Sequence, residues 1–222
     1  MSGPEWERRL EVRTAAETHA LAAAVGTVLA AGDLLVLTGE LGAGKTTFTQ
    51  GLGEGLGVRS GIISPTFVLV RIHPNLPDGP RPGGPDLVHV DAYRLESAAE
   101  IDDIDLENTM DSAVTVVEWG RGRVEHLSDS RLEVELHRTR GGAADSPAAP
   151  GAGPVLDFDT DDDDEPRTVL IRGFGPRWAE PPALPGVETD PGVERLPGSQ
   201  PLPGMTPEQL PETTLQTPER NS

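Results

Sequence analysis

Gly39-Glu40-Leu41-Gly42-Ala43-Gly44-Lys45-Thr46 is the stretch that decides the fold. It fits the phosphate-binding pattern G-x-x-x-x-G-K-[ST], in which each residue type has a physical task. The glycines let the backbone turn tightly and bring several N–H groups towards a polyphosphate. Lys45 offers a compact positive charge to the β and γ phosphates, and Thr46 offers a hydroxyl to a magnesium ion bridging the same oxygens. The flanks have the required order. Asp33-Leu34-Leu35-Val36-Leu37 is a short apolar run suited to a buried parallel strand. Thr46-Thr47-Phe48-Thr49-Gln50-Gly51-Leu52 continues as a helix ending near Gly55 or Gly57, its positive dipole end facing the anion. Lys45 is also the only lysine in a chain whose other basic side chains are all arginine, which argues that arginine cannot substitute there.

Composition narrows the class. The 222 residues contain no cysteine, which excludes disulfides and thiolate metal sites. No apolar run approaches a membrane span, and Met1-Ser2-Gly3-Pro4-Glu5-Trp6 is not a signal peptide, so a cytoplasmic location is expected. Net charge is −19, and residues 1–138 alone carry 12 basic and 22 acidic side chains. Such an acidic surface argues against a large direct contact with a phosphate backbone. Direct DNA binding is therefore not expected, and any nucleic acid would be held by a partner.

Around this centre, Leu10–Arg13 reads as a short strand, and Thr14-Ala15-Ala16-Glu17 as a capping box opening a helix to about Leu29, closed by Gly32. Ser64-Pro65-Thr66-Phe67 opens a strand expected over Phe67–Ile72; by itself a threonine beside proline is also an ordinary turn feature. Pro74–Pro85 is a loop. Leu87-Val88-His89-Val90-Asp91 and Val114-Thr115-Val116-Val117-Glu118-Trp119 are apolar strands that end in a carboxylate. Ligands of open α/β sheets sit beyond the carboxyl ends of strands, so Asp91, Glu118, Lys45 and Thr46 converge on one crevice. His89 reads as a packed strand histidine rather than a metal ligand, because no second histidine stands at ligand spacing. Trp119 either packs or lids the site. An acidic helix is expected from about Ser97 to Met110, its carboxylates forming a solvated face. Leu132–His137 alternates as a half-exposed strand, residues 139–166 form a mobile acidic insertion, and Thr168–Arg172 returns as the last strand. From that strand, Arg167 or Arg172 is expected to approach the ligand. From Pro176 onward proline recurs too often for helix or strand, so 176–222 is expected to be a disordered tail.

Four motifs then stand in order: the loop at 39–48, Ser64-Pro65-Thr66-Phe67, His89-Val90-Asp91-Ala92-Tyr93-Arg94-Leu95, and Val117-Glu118-Trp119. The series resembles the bacterial TsaE (YjeE-type) ATPase family of tRNA threonylcarbamoyladenosine biosynthesis, over roughly residues 10–138 and the strand at 168–172. The resemblance implies an ATPase using ATP and Mg2+, working with TsaD-like and TsaB-like partners. These partners contact the tRNA and modify adenosine 37 of tRNAs reading ANN codons. It implies that the nucleotide is held by Glu40, Leu41, Gly42, Ala43, Gly44, Lys45, Thr46 and Thr47, with Thr47 near the α phosphate. It further implies a switch-like Thr66 near the γ phosphate, and Asp91 and Glu118 holding magnesium or its waters. Trp119 would flank the site, and Thr18 on the N-terminal helix would border the adenine. Ala92 departs from the leucine usual in the family, a packing change.

The expected fold is a three-layer α/β P-loop domain with a small mixed sheet over residues 1–175, followed by the tail. Two other functions stay open on sequence alone. A small-molecule or nucleotide kinase would need an arginine-lined acceptor pocket, for which Arg94, Arg121 and Arg123 are the candidates. A nucleotide-state switch would need no hydrolysis. A GTPase is disfavoured, because the guanine-reading N-K-x-D motif needs a second lysine.

Overall fold

The apolar run that precedes the glycine-rich loop is buried on both faces, which requires a layer above and a layer below it. The computed structural model describes residues 3–95, 97–138, 165–187 and 194–195, and supplies both layers. One mixed sheet contains β1 (Trp6–Val12), β2 (Leu34–Gly39), β3 (Val70–His73), β4 (Asp86–Asp91), β5 (Ala113–Glu118), β6 (Arg131–Arg138), β7 (Arg167–Phe174) and β8 (Glu194–Arg195). Their spatial order is β3-β4-β5-β2-β6-β7-β1-β8. Strands β4, β5, β2 and β6 run parallel, β3 pairs antiparallel with β4, β7 lies antiparallel between β6 and β1, and β8 adds to β1 in parallel. The expected three-layer α/β architecture with a mixed sheet is what forms.

Strand periodicity divides the core in two. Leu35 and Leu37 of β2 join Val114, Val116 and Leu87 on the face covered by α1 (Ala15–Val28) and α2 (Lys45–Leu56). Leu34 and Val36 join Val88, Val90 and Val117 on the face covered by α3 (Ala98–Asp102) and α4 (Glu107–Met110). Thr14 caps α1 as expected, accepting the Glu17 N–H, while the Glu17 carboxylate accepts the N–H of Arg13. Helices α1 and α2 touch backbone to backbone. A Cβ on Gly51 would lie 2.2 Å from the His19 carbonyl oxygen, and one on Gly55 2.1 Å from that of Ala23. No side chain fits there, so this close contact fixes α2, and with it the loop at its start, against the rest of the layer.

Three expectations need correction. The acidic helix at 97–110 is two short helices, because Asp105 adopts φ 55° and interrupts it. The strand expected from Phe67 begins only at Val70: the N–H groups of Val68 and Leu69 donate to the Pro65 carbonyl, and Leu69 has φ 66°. This curls 65–69 into a turn. Finally, the domain does not stop at residue 175. Pro176–Trp178 forms a 3-10 turn whose Trp178 is 1% exposed within the main core, with Leu184 packed there too, while Glu194–Arg195 extends the sheet. Proline blocks long regular elements but not packing. The remainder of the expected tail, and residues 139–164 of the expected acidic insertion, lie outside the described residues.

The loop at 74–85 stays irregular, as expected, yet contributes Arg81, which donates to the carbonyls of Gly26 and Leu29. Helix α1 has no basic residue in its own last turn, so Arg81 satisfies carbonyls its own sequence leaves open. Among the described residues no helix is long and apolar enough to cross a membrane.

Candidate functional site

Because β2, β4 and β5 are parallel neighbours, their carboxyl ends arrive together. Asp91 ending β4 lies directly opposite Glu118 ending β5, and Glu118 in turn pairs with Leu37 of β2, two residues before the loop begins. The loop at 39–44 then leads into α2, whose first two residues are Lys45 and Thr46. These elements enclose a cleft of about 520 Å³ lined by Lys45, Thr46, Thr66, Asp91, Glu118 and Trp119, among others. Leu41, Gly42, Gly44 and Thr47 also line it. A second cavity of about 340 Å³, bordered by His19, Gln50 and Arg59, lies away from the strand ends and contains no paired carboxylates.

Glycine is required in the loop for a specific reason at Gly42. Its φ of 76° is left-handed, and a Cβ there would meet the Arg138 guanidinium at 2.6 Å. Arg138 donates to the Gly42 carbonyl through Nε (3.2 Å) and Nη2 (3.1 Å), so that oxygen is satisfied within the protein. Arg167 lies beside Gly44, its Nε 3.6 Å from where a Cβ would stand. Of the two arginines expected to approach the ligand, Arg167 reaches the loop. Arg172 instead pairs with Glu7 and Glu135 on the opposite face.

Lys45 is 5% exposed. Its Nζ donates to the carbonyls of Gly39 (3.0 Å) and Glu40 (2.9 Å) and sits 3.8 Å from the centre of the Trp119 ring. Burial pushes this ammonium below its ordinary pKa, opposed by the charges of Glu118, Asp91 and Glu40. Trp119, with φ 63°, lies tilted against Tyr93, ring centroids 5.3 Å apart; it both packs and covers the lysine.

The two carboxylates are buried, at 3% for Asp91 and 2% for Glu118. Asp91 Oδ2 accepts the hydroxyls of Thr66 (2.6 Å) and Ser64 (2.8 Å), and Oδ1 accepts the Tyr93 N–H (3.0 Å). Glu118 Oε1 accepts from Thr46 Oγ1 (3.3 Å) and contacts His89 Nε2 (2.9 Å). His73 lies behind His89, with ring centroids 6.1 Å apart, and burial, then His89 and Arg71, hold its pKa below the usual imidazole value.

Lys45, Thr46, Thr66, Asp91, Glu118 and Trp119 are thus brought together, with Glu40 contributing its carbonyl. Thr18 is not. It is 1% exposed, its hydroxyl donates to the Thr14 carbonyl one turn back, and it does not line the cleft. Ser64, His89, Tyr93 and Arg138 have no site role assigned from sequence. His89 had a signal: strand period two puts it on the same face as Asp91, one step from Glu118. Arg138 had none, since only the pairing of β6 with β2 brings it to the loop.

The described residues contain no cluster of three or more histidine and acidic side chains able to hold a metal by themselves. The oxygen donors present include the carboxylates of Asp91 and Glu118 and the hydroxyl of Thr46, a set suited to a hard divalent cation that keeps waters or shares phosphate oxygens.

Residues 12–144, more than half of the chain, match the family model described as threonylcarbamoyl adenosine biosynthesis protein TsaE. A Streptomyces coelicolor protein named tRNA threonylcarbamoyladenosine biosynthesis protein TsaE is 48% identical over 153 residues, covering 68% of this chain and 87% of that protein. A Bacillus subtilis protein of the same name is 39% identical over 123 residues, 55% of this chain and 72% of its own. The crystal structure of Bacillus subtilis YdiB is similar with a TM-score of 0.53 at 26% identity, covering 78% of this chain and 89% of that one.

Proposed function

The chain belongs to the TsaE family, and on that premise we propose that it is the Mg2+-dependent ATP-binding and ATP-hydrolysing component of tRNA threonylcarbamoyladenosine formation. In this reading it works in the cytoplasm and supports turnover of a TsaD–TsaB transferase acting on adenosine 37 of tRNAs that read ANN codons. The tRNA is contacted through those partners, in keeping with a net charge of −19.

The observation that carries the reading is the convergence of Lys45, Thr46, Asp91 and Glu118 at the carboxyl ends of adjacent parallel strands. A buried ammonium whose pKa burial lowers gains a counter-charge when phosphate arrives, so Lys45 exchanges the Gly39 and Glu40 carbonyls for phosphate oxygens. The N–H groups at the start of α2 add their dipole. Thr46, Glu118 and Asp91 supply the oxygens for magnesium, which when bound neutralises charge on the β and γ phosphates. Thr66, whose hydroxyl donates to Asp91 at 2.6 Å, would act near the γ phosphate. The chemistry rests on positioning and charge stabilisation rather than a covalent step.

A kinase reading loses its support here. Arg121 pairs with Glu133 and Glu135, Arg123 donates to the carbonyls of Ala92 and Trp119, and Arg94 stacks on Phe67 at 4.8 Å. The test is ATP hydrolysis by the purified protein, alone and with TsaD, TsaB and tRNA. Weak activity raised by the partners and lost in Lys45→Ala and Glu118→Ala supports the proposal. Activity indifferent to the partners sends the search to a phosphoryl acceptor, and tight ATP binding without hydrolysis in either setting makes the protein a nucleotide-state switch.

A further inference from the structure

Glu118 has two oxygens, and the structure treats them differently. Oε1 contacts both His89 Nε2 at 2.9 Å and Thr46 Oγ1 at 3.3 Å, whereas no hydrogen bond to Oε2 occurs among the described residues. His89 is fully buried on β4, and its Nδ1 has no hydrogen-bond partner among the described residues. Facing a carboxylate, Nε2 is the donor. A buried imidazole committed to one oxygen of a buried acid restricts that acid to one orientation.

We propose that His89 is a positioning residue: by holding Oε1 it fixes the Glu118 carboxylate so that Oε2 remains available to the magnesium ion or to its bound water. This rests on the Mg2+-nucleotide reading above. The arrangement matches the general rule that acids serving a metal are oriented by a further hydrogen bond from behind. It differs from a packing role in what it demands of position 89. Packing needs only volume, and a leucine supplies most of that. Positioning needs an N–H at the Nε2 position, which glutamine retains and leucine lacks.

The experiment measures affinity for a fluorescent ADP analogue with Mg2+ and with excess EDTA, in the wild type, His89→Leu, His89→Gln and Glu118→Gln. The gain in affinity that Mg2+ confers is the readout, and it does not depend on turnover. The expected result is that His89→Leu loses roughly tenfold of that gain, approaching Glu118→Gln, while affinity in EDTA is unchanged and His89→Gln retains most of the gain. A Mg2+ gain in His89→Leu equal to the wild type's overturns the proposal. So does an equal loss in both His89 variants, or a loss of EDTA affinity alongside, since either marks general packing damage. A wild type with no Mg2+-dependent nucleotide affinity fails at the earlier step and overturns the ATPase reading together with this one.

Discussion

The two halves of the sheet spend their polar residues in opposite ways. In β4, β5 and β2 both faces are covered and, His89 and Thr115 apart, apolar within the strands, and the polar groups of the cleft appear at the carboxyl ends, at Asp91, Glu118 and the loop after Gly39. In β6, β7 and β1 only one face is apolar. The other carries ion pairs in which Arg121 and Arg172 share Glu135, Arg131 and Arg121 share Glu133, and Glu7 completes the set. Those charges neutralise one another and are not offered to a ligand. Strand alternation separates the two arginines of β7: Arg172 joins the ion pairs of the charged face, while Arg167, five residues earlier, lies on the other face beside Gly44 of the loop.

If the antiparallel half is a scaffold, damage to it should cost stability first. The largest effect is expected at Trp178, fully buried beyond the domain end expected from sequence. Trp178→Ala should destabilise by about 3–5 kcal/mol in chemical denaturation, and an unchanged midpoint would mean that the segment after residue 175 is an appendage. Next is the contact between α1 and α2, which joins scaffold to site. Gly51→Ala places a methyl 2.2 Å from the His19 carbonyl and should cost about 1–3 kcal/mol, read from the same denaturation curves.

The smallest effect concerns the ion pairs. Burial raises the Glu135 pKa, but hydrogen bonds from Arg172 and Arg121 outweigh it and bring it from 4.5 down to about 2. A depressed carboxylate pKa contributes stability that is present above pH 4.5 and lost as pH falls towards 2. The side chain is partly solvated, so about 1–2 kcal/mol is expected. Glu135→Gln should therefore be less stable than the wild type at pH 7, with the gap closing between pH 4.5 and 2. A gap that stays constant with pH would mean that the ion pairs do not stabilise this half of the sheet.

The half of the fold that carries the site was the more legible in sequence. Strands buried on both faces give continuous apolar runs, and the glycine-rich pattern dictates a helix directly after β2. For that reason β2, α2, β4 and β5 and their terminal carboxylates could be read residue by residue. The features that escaped depended on distant partners. Trp178 stands in a proline-rich stretch with no periodicity, and only the core it fills gives it a place. Leu69 and Asp105 adopt left-handed backbone that no glycine announces, which shortened one strand and divided one helix. Thr18 illustrates the converse, because a helix residue one turn from its cap satisfies its hydroxyl locally and has no need of the cleft.

The central claim, that nucleotide is taken at the carboxyl ends of the parallel strands, is tested most directly by hydrogen–deuterium exchange with and without Mg2+-ATP. The predicted result is slowed exchange in residues 39–50, in the turn at 64–69 and at 91–93 and 118–119, with β6, β7 and β1 unchanged away from Arg138 and Arg167. Protection centred instead on the cavity bordered by His19, Gln50 and Arg59, with the 39–46 loop unaffected, would contradict it.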